Sequence, residues 1–136
     1  MKKTYIAIMI IIMLSATITT HINAVYAVYI QNNYGSSIAC KKQWNPERKP
    51  INADEGEVII PNGQTIQLDR LYTLQIWNPT ILIRRAGIMG PLSPYTNLKP
   101  YIDQIINDND PHRIAIISIN SGGTLLNPWD INIIYQ

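Results

Sequence analysis

From Gly56 to Arg85 apolar and polar positions alternate in short runs: Glu57-Val58-Ile59-Ile60, Thr65-Ile66-Gln67-Leu68, Tyr72-Thr73-Leu74-Gln75-Ile76-Trp77 and Ile81-Leu82-Ile83. Pro61-Asn62-Gly63, Asp69-Arg70 and Asn78-Pro79 divide them. Runs rich in β-branched and aromatic residues, punctuated by Asn-Gly and Asn-Pro, predict an antiparallel meander. Ile66 and Leu68 share a face of one strand, and Tyr72, Leu74 and Ile76 share a face of the next. Ile81-Leu82-Ile83 is apolar on both faces, as in a strand covered from both sides.

Upstream, Val28–Asn32 and Ser37–Trp44 predict a hairpin, because Asn33 and Gly35 between them tolerate the left-handed conformations of a tight turn. Ile38, Cys40, Lys42 and Trp44 fall on one face of the second run, and the lysine there marks a strand leaving the core near its end. Residues 45–55 are charged and carry two prolines, so they form a surface connection. Downstream, residues 86–98, with two glycines and two prolines, form a loop. Pro100 then opens a short helix whose stripe is Tyr101, Ile102, Ile105 and Ile106. Asn107 to Pro111 end it. Arg113–Asn120 is the strongest strand pattern, Thr124–Leu126 a stub strand, and Ile131–Tyr135 a last strand. The expectation is a mainly β fold: an antiparallel β-sandwich of about seven or eight short strands with one short helix.

The start of the chain has a different pattern. Lys2-Lys3 precede an unbroken apolar run from Tyr5 to Ala16, the layout of a secretory signal. Cleavage is expected after Ala24 or Ala27, with Ala27 favoured because Val28-Tyr29-Ile30 already reads as strand. That divides the chain into a signal peptide, 1–27, and a single domain, 28–136. A transmembrane anchor needs about 20 apolar residues. Lengthening this run to Ile22 would bury Ser15, Thr17, Thr19, Thr20 and His21, so a membrane association is expected only through an uncleaved signal. The expected location is secreted or periplasmic.

Removing the leader alters the charge. The whole chain carries +2, but Lys2 and Lys3 supply it, and the remainder balances to zero. Nothing then favours a nucleic-acid partner. Cys40 is the single cysteine, so no intrachain disulfide can form and the core must hold without one. Its expected role is a small buried hydrophobe.

Candidate chemistry is sparse. His112 is the one histidine outside the leader; it follows Pro111 in a polar turn, and no Gly-x-Ser-x-Gly elbow accompanies it. One His and one Cys cannot complete a zinc site. Asp108-Asn109-Asp110 offers oxygen ligands, which makes Asp108 and Asp110 a weak calcium candidate without the Gly and Glu of an EF-hand. Glu55 and Glu57, with Asp103 or Asp130, are the carboxylates from which a glycan hydrolase would have to draw its pair. Arg84-Arg85 reads as a solvated strand end. No cofactor is expected. The remaining lead is aromatic: Trp44, Trp77 and Trp129 sit at strand ends or beside Asn-Pro turns, and Tyr34 and Tyr95 lie in loops, where rings can stack on a glycan or anchor a protein partner. A core role competes at each tryptophan. The expectation is an exported, non-catalytic binding module with these five residues at its ligand site. The alternatives are a small outer-membrane β-barrel, whose strands would need about nine to eleven residues, and a carboxylate-dependent glycan hydrolase.

Overall fold

The computed structural model describes residues 25–51, 53, 55–87 and 93–136. The expected leader, apart from Val25, Tyr26 and Ala27, lies outside the described residues. Among the described residues, eight strands and two helices follow in order: β1 (Ala27–Asn33), β2 (Ile38–Gln43), β3 (Gly56–Ile60), β4 (Thr65–Arg70), α1 (Leu71–Trp77), β5 (Thr80–Arg85), β6 (Thr96–Asn97), α2 (Lys99–Asp108), β7 (Ile114–Ser121) and β8 (Trp129–Tyr135). The fold is mainly β. Its strands form two four-stranded sheets, ordered β4-β1-β7-β8 (sheet A) and β3-β2-β5-β6 (sheet B). A closed barrel would need one continuous sheet.

Sheet B is antiparallel throughout. Sheet A is antiparallel except at its centre, where β1 and β7 run parallel from Ala27↔Ile114 to Asn33↔Asn120. Successive side chains of a strand point to opposite faces, and one face of each sheet supplies the core. Val28 and Ile30 of β1, with Ala115, Ile117 and Ile119 of β7, join Ile38, Ile60, Ile81 and Ile83 of sheet B in one core cluster. Each fully buried isoleucine contributes roughly 1.5–3 kcal/mol, the main source of stability in a domain without disulfides. Cys40 belongs to this cluster, where it packs as a small hydrophobe, and burial pushes its thiol up to about 12.

The expected hairpin of Val28–Asn32 and Ser37–Trp44 does not form. β1 and β2 lie in different sheets, and the connection between them passes from one to the other. Asn32 explains why. Its side chain is fully buried, donating through Nδ2 to the carbonyls of Ser36 (2.9 Å) and Ile60 (2.8 Å), while its Oδ1 accepts from the Tyr34 amide (2.9 Å). These bonds turn the chain out of sheet A and fasten the turn to the end of β3. The Asn62-Gly63 turn closes on the same residue: the Gly63 amide donates to the Asn32 carbonyl, and Gly63 takes the positive φ of 83°.

The predicted strand Tyr72–Trp77 is instead helix α1, ending at Asn78, whose left-handed backbone donates its N–H to the Leu74 carbonyl (3.0 Å). Leu74 is the residue of α1 that is buried; Tyr72 and Ile76, which shared its strand face in the alternation, are exposed. Helix α2 forms around Pro100 in its first turn and buries Ile102 and Ile105, as its stripe predicts. Thr96–Asn97 forms a two-residue strand inside the predicted loop, and Thr124–Leu126 forms none: Leu125 and Leu126 stand exposed in a bend. At Gly123 a Cβ would come within 1.9 Å of the Asn127 carbonyl oxygen, so this turn accepts only glycine.

Candidate functional site

The two ends of the molecule are built differently. At the first, where β1 and β7 finish and β8 starts, Trp129 is buried and its indole N–H donates to Thr96 Oγ1 (2.9 Å). Tyr34 meets it edge-on with ring centroids 4.7 Å apart. Two of the five predicted ligand-binding aromatics therefore come together, as a hydrogen-bonded packing pair.

The opposite end opens. β2 ends at Gln43, and Trp44, 7% exposed, forms part of the wall of a cleft of about 900 Å³. Lys41, Lys42 and Lys49 border it, with Glu55 and Asn78. The Lys42 ammonium lies 5.3 Å from the centroid of the Trp44 ring. It also donates to the Leu68 carbonyl (2.6 Å) and to Asp69 Oδ2 (3.2 Å), joining sheet B to sheet A across the open side.

An irregularity in β4 makes that contact. The β1–β4 register slips between Val28 and Tyr29, so Val28 faces Asp69 whereas Tyr29 faces Gln67. Leu68 is the extra residue. A bulge re-aims the side chains that follow it. Here it gives Asp69 the same side as core-facing Val28, within reach of Lys42, which also takes the carbonyl of the bulged residue. An ion pair at 18% and 26% side-chain exposure is half-desolvated and hydrogen-bonded on both partners, the condition under which such a pair holds geometry.

The other predicted residues are dispersed. Trp77 ends α1, partly buried. Tyr95 is exposed beside sheet B, donating to Glu57 Oε2 (2.7 Å), which also accepts from Arg84 Nε (2.9 Å). Arg84 and Glu57 form a second ion-pair contact through NH2 and Oε1. In register Ala39 faces Arg84 and Lys41 faces Glu57, so the pair steps diagonally over β2, where the small Ala39 leaves room. The Arg84 hydrogen bonds, then that of Tyr95, hold the Glu57 carboxyl below its ordinary value. Glu55 pairs with Lys49 (3.4 Å) and Asp103 with Lys99 (3.3 Å).

Asp108 accepts from the Tyr135 hydroxyl, and Asp110 contacts the His112 ring, which stacks on Tyr135. Burial, then the Asp108 bond, raises the Tyr135 hydroxyl above its ordinary range. Among the described residues no group of three or more His, Cys, Asp or Glu side chains is arranged to hold a metal. No described helix is long and apolar enough to cross a membrane.

Sequence reasoning did not single out as a site the cleft residues Lys41, Lys42 and Lys49, nor Asp69, which pairs with Lys42. The one signal was Lys42 on an otherwise apolar face. Comparison with protein-family models, curated proteins and solved structures gave no match.

Proposed function

We propose that the chain is an exported, non-catalytic binding domain, a β-sandwich whose ligand is anionic and seats in the cleft beside Trp44. The observation that carries this reading is the cleft itself: about 900 Å³, bordered by Lys41, Lys42 and Lys49 against Glu55, with a tryptophan in its wall. Positive charge focused in a concave site attracts carboxylate or sulfate groups, and an indole face offers apolar contact to the rest of the ligand. Cross-sheet bonds from Asn32, Lys42 and Trp129 support the sandwich packing.

Export is supported by the basic head and apolar run ahead of the domain. Cleavage after Ala24 fits the fold better than cleavage after Ala27. Val25 is in the core, and the amides of Tyr26 and Ala27 both bond to the Arg113 carbonyl. The intact mass of the exported protein distinguishes the two, and a mature chain starting at Val28 overturns the assignment.

Binding is tested with poly-glutamate, followed by tryptophan fluorescence at several ionic strengths. Saturable binding that weakens with salt and is lost in Lys41→Glu/Lys49→Glu, but kept in Arg85→Glu at the far end of β5, is the expected result. Equal binding by all three proteins would remove the cleft from consideration.

A further inference from the structure

The edge of sheet B beside the cleft indicates what kind of partner the domain takes, an inference that rests on reading the cleft as an anion site. β3 pairs with β2 on one side; on the other it is the edge of the sheet. Natural edges are blunted by lysine, proline, bulges or cover. Gly56–Ile60 contains no lysine or proline, its ladder with β2 has no register shift, and Val58 and Ile59 are 49% and 52% exposed.

Behind this edge lies a groove. β3 and β4 follow one another in sequence but are edge strands of different sheets, and the gap between them is a trough of about 220 Å³ lined by Cys40, Val58, Ile66 and Leu68 together with Lys42, Glu55, Glu57 and Gln67. Lys42, Glu55 and Gly56 border both trough and cleft, so the two are continuous.

We infer that β3 accepts an extended segment of a partner polypeptide as an added antiparallel strand, with alternate apolar side chains in the trough and an anionic C-terminal end among the cleft lysines. Strand addition draws affinity from main-chain hydrogen bonds and specificity from pockets that take every second side chain. Polarity follows from geometry. β3 starts at Gly56 beside the cleft and runs away from it, so a strand paired antiparallel to it, like every other pair in sheet B, finishes at the cleft.

Charge selects the occupant. Lys41, Lys42 and Lys49, against Glu55 and the Asp69 partner of Lys42, leave one positive charge in excess, which favours a carboxylate at that end and opposes a basic one. Glu57, the one charge on β3, also borders the trough, but its carboxylate is held by Arg84 and Tyr95. A second copy of this chain fits less well: antiparallel self-pairing about Val58 would bring Ile60, Pro61 and Asn62 to the cleft, none of them anionic.

The test uses the full chain and two synthetic peptides of about eight residues, a common strand length. Both alternate Val and Thr; one ends in two Asp with a free carboxylate, the other in two Lys with an amide. Amide exchange and chemical shifts are read by NMR at millimolar peptide. The acidic peptide is expected to slow exchange in Gly56–Ile60, shift Lys41 to Trp44, and bind about tenfold or more tighter than the basic one. Val58→Lys, which adds the missing blunting charge, should abolish this protection while leaving poly-glutamate binding intact. Poly-glutamate binding with no protection of β3 by either peptide overturns the inference and leaves the cleft reading standing. Equal protection by both peptides overturns the anionic end together with the cleft reading. Dimerisation through β3 without peptide overturns the choice of occupant.

Discussion

Trp129 and Trp44 are buried to nearly the same extent, 5% and 7% exposed, at opposite ends of one core, yet their surroundings differ in kind. Around Trp129 the partners are neutral: a threonine hydroxyl for the indole N–H, a tyrosine ring at its edge, and the buried Asn32 amide fastening the nearby turns. Around Trp44 they are charged and stand at the rim of an open cleft. Similar burial therefore conceals two different constructions. The first end is closed by hydrogen bonds that do not titrate and do not respond to salt. The second is bridged by the ion pair of Lys42 and Asp69, whose attraction weakens as salt is added.

The contrast breaks most visibly at the tryptophans. Trp129→Ala should cost about 3–5 kcal/mol, the range for deleting a large buried aromatic. Trp44→Ala should cost clearly less, because its wall of the cleft borders space that solvent fills, and should instead weaken ligand binding. Urea unfolding of the two variants measures the difference; equal losses would erase the distinction between the ends.

Next in size is Asn32→Ala. It removes three side-chain hydrogen bonds and leaves the Ile60 carbonyl without its buried donor, at a cost of roughly 2–3 kcal/mol. Loss of amide protection in that variant should start at the Asn33–Ser36 and Asn62-Gly63 turns and spare α2.

The smallest effect is acid sensitivity. Glu57, held below 4.5 by Arg84 and Tyr95, and Asp110, held below 3.8 by His112, have lowered folded-state values. Each contributes stability that is complete above its unfolded value and lost as pH falls through its folded one. The acid limb should thus develop below about pH 4.5, and Glu57→Gln should flatten it. Because Asp110 sits where α2 leads into β7, at the cleft end, amide exchange at pH 3 should increase there before it does around Asn32. An unchanged acid limb in Glu57→Gln would discount the ion pair.

Much of the fold was legible because burial follows local periods. Arg113–Asn120 announced β7, and Ile102 and Ile105 announced the buried face of α2. The failures have physical causes. Tyr72, Leu74 and Ile76 alternate like a strand, but in seven residues a period of two and a helical period place few residues differently, and burial of Leu74 against the core decided between them. Asn78-Pro79 was read as a strand turn although a left-handed Asn followed by Pro is also a helix stop, which was the available signal. The parallel β1–β7 pair joins segments some eighty residues apart, as Asn33↔Asn120 shows, and no local pattern encodes that. In the site, Lys42 could be flagged as out of place, but its partner could not. Asp69 reaches the inner side through a register slip that leaves no mark in residue type.

That slip makes the Lys42 contact depend on counting as well as on chemistry. Deleting Leu68 would set Gln67 and Asp69 opposite Tyr29 and Val28 in a regular ladder, keeping the carboxylate on the inner side but removing the backbone carbonyl that Lys42 also bonds. Homologous chains could therefore keep every cleft residue and still lose one of the two bonds of the bridge through a one-residue gap in β4. When such chains are aligned, the length of this strand carries as much information as its letters.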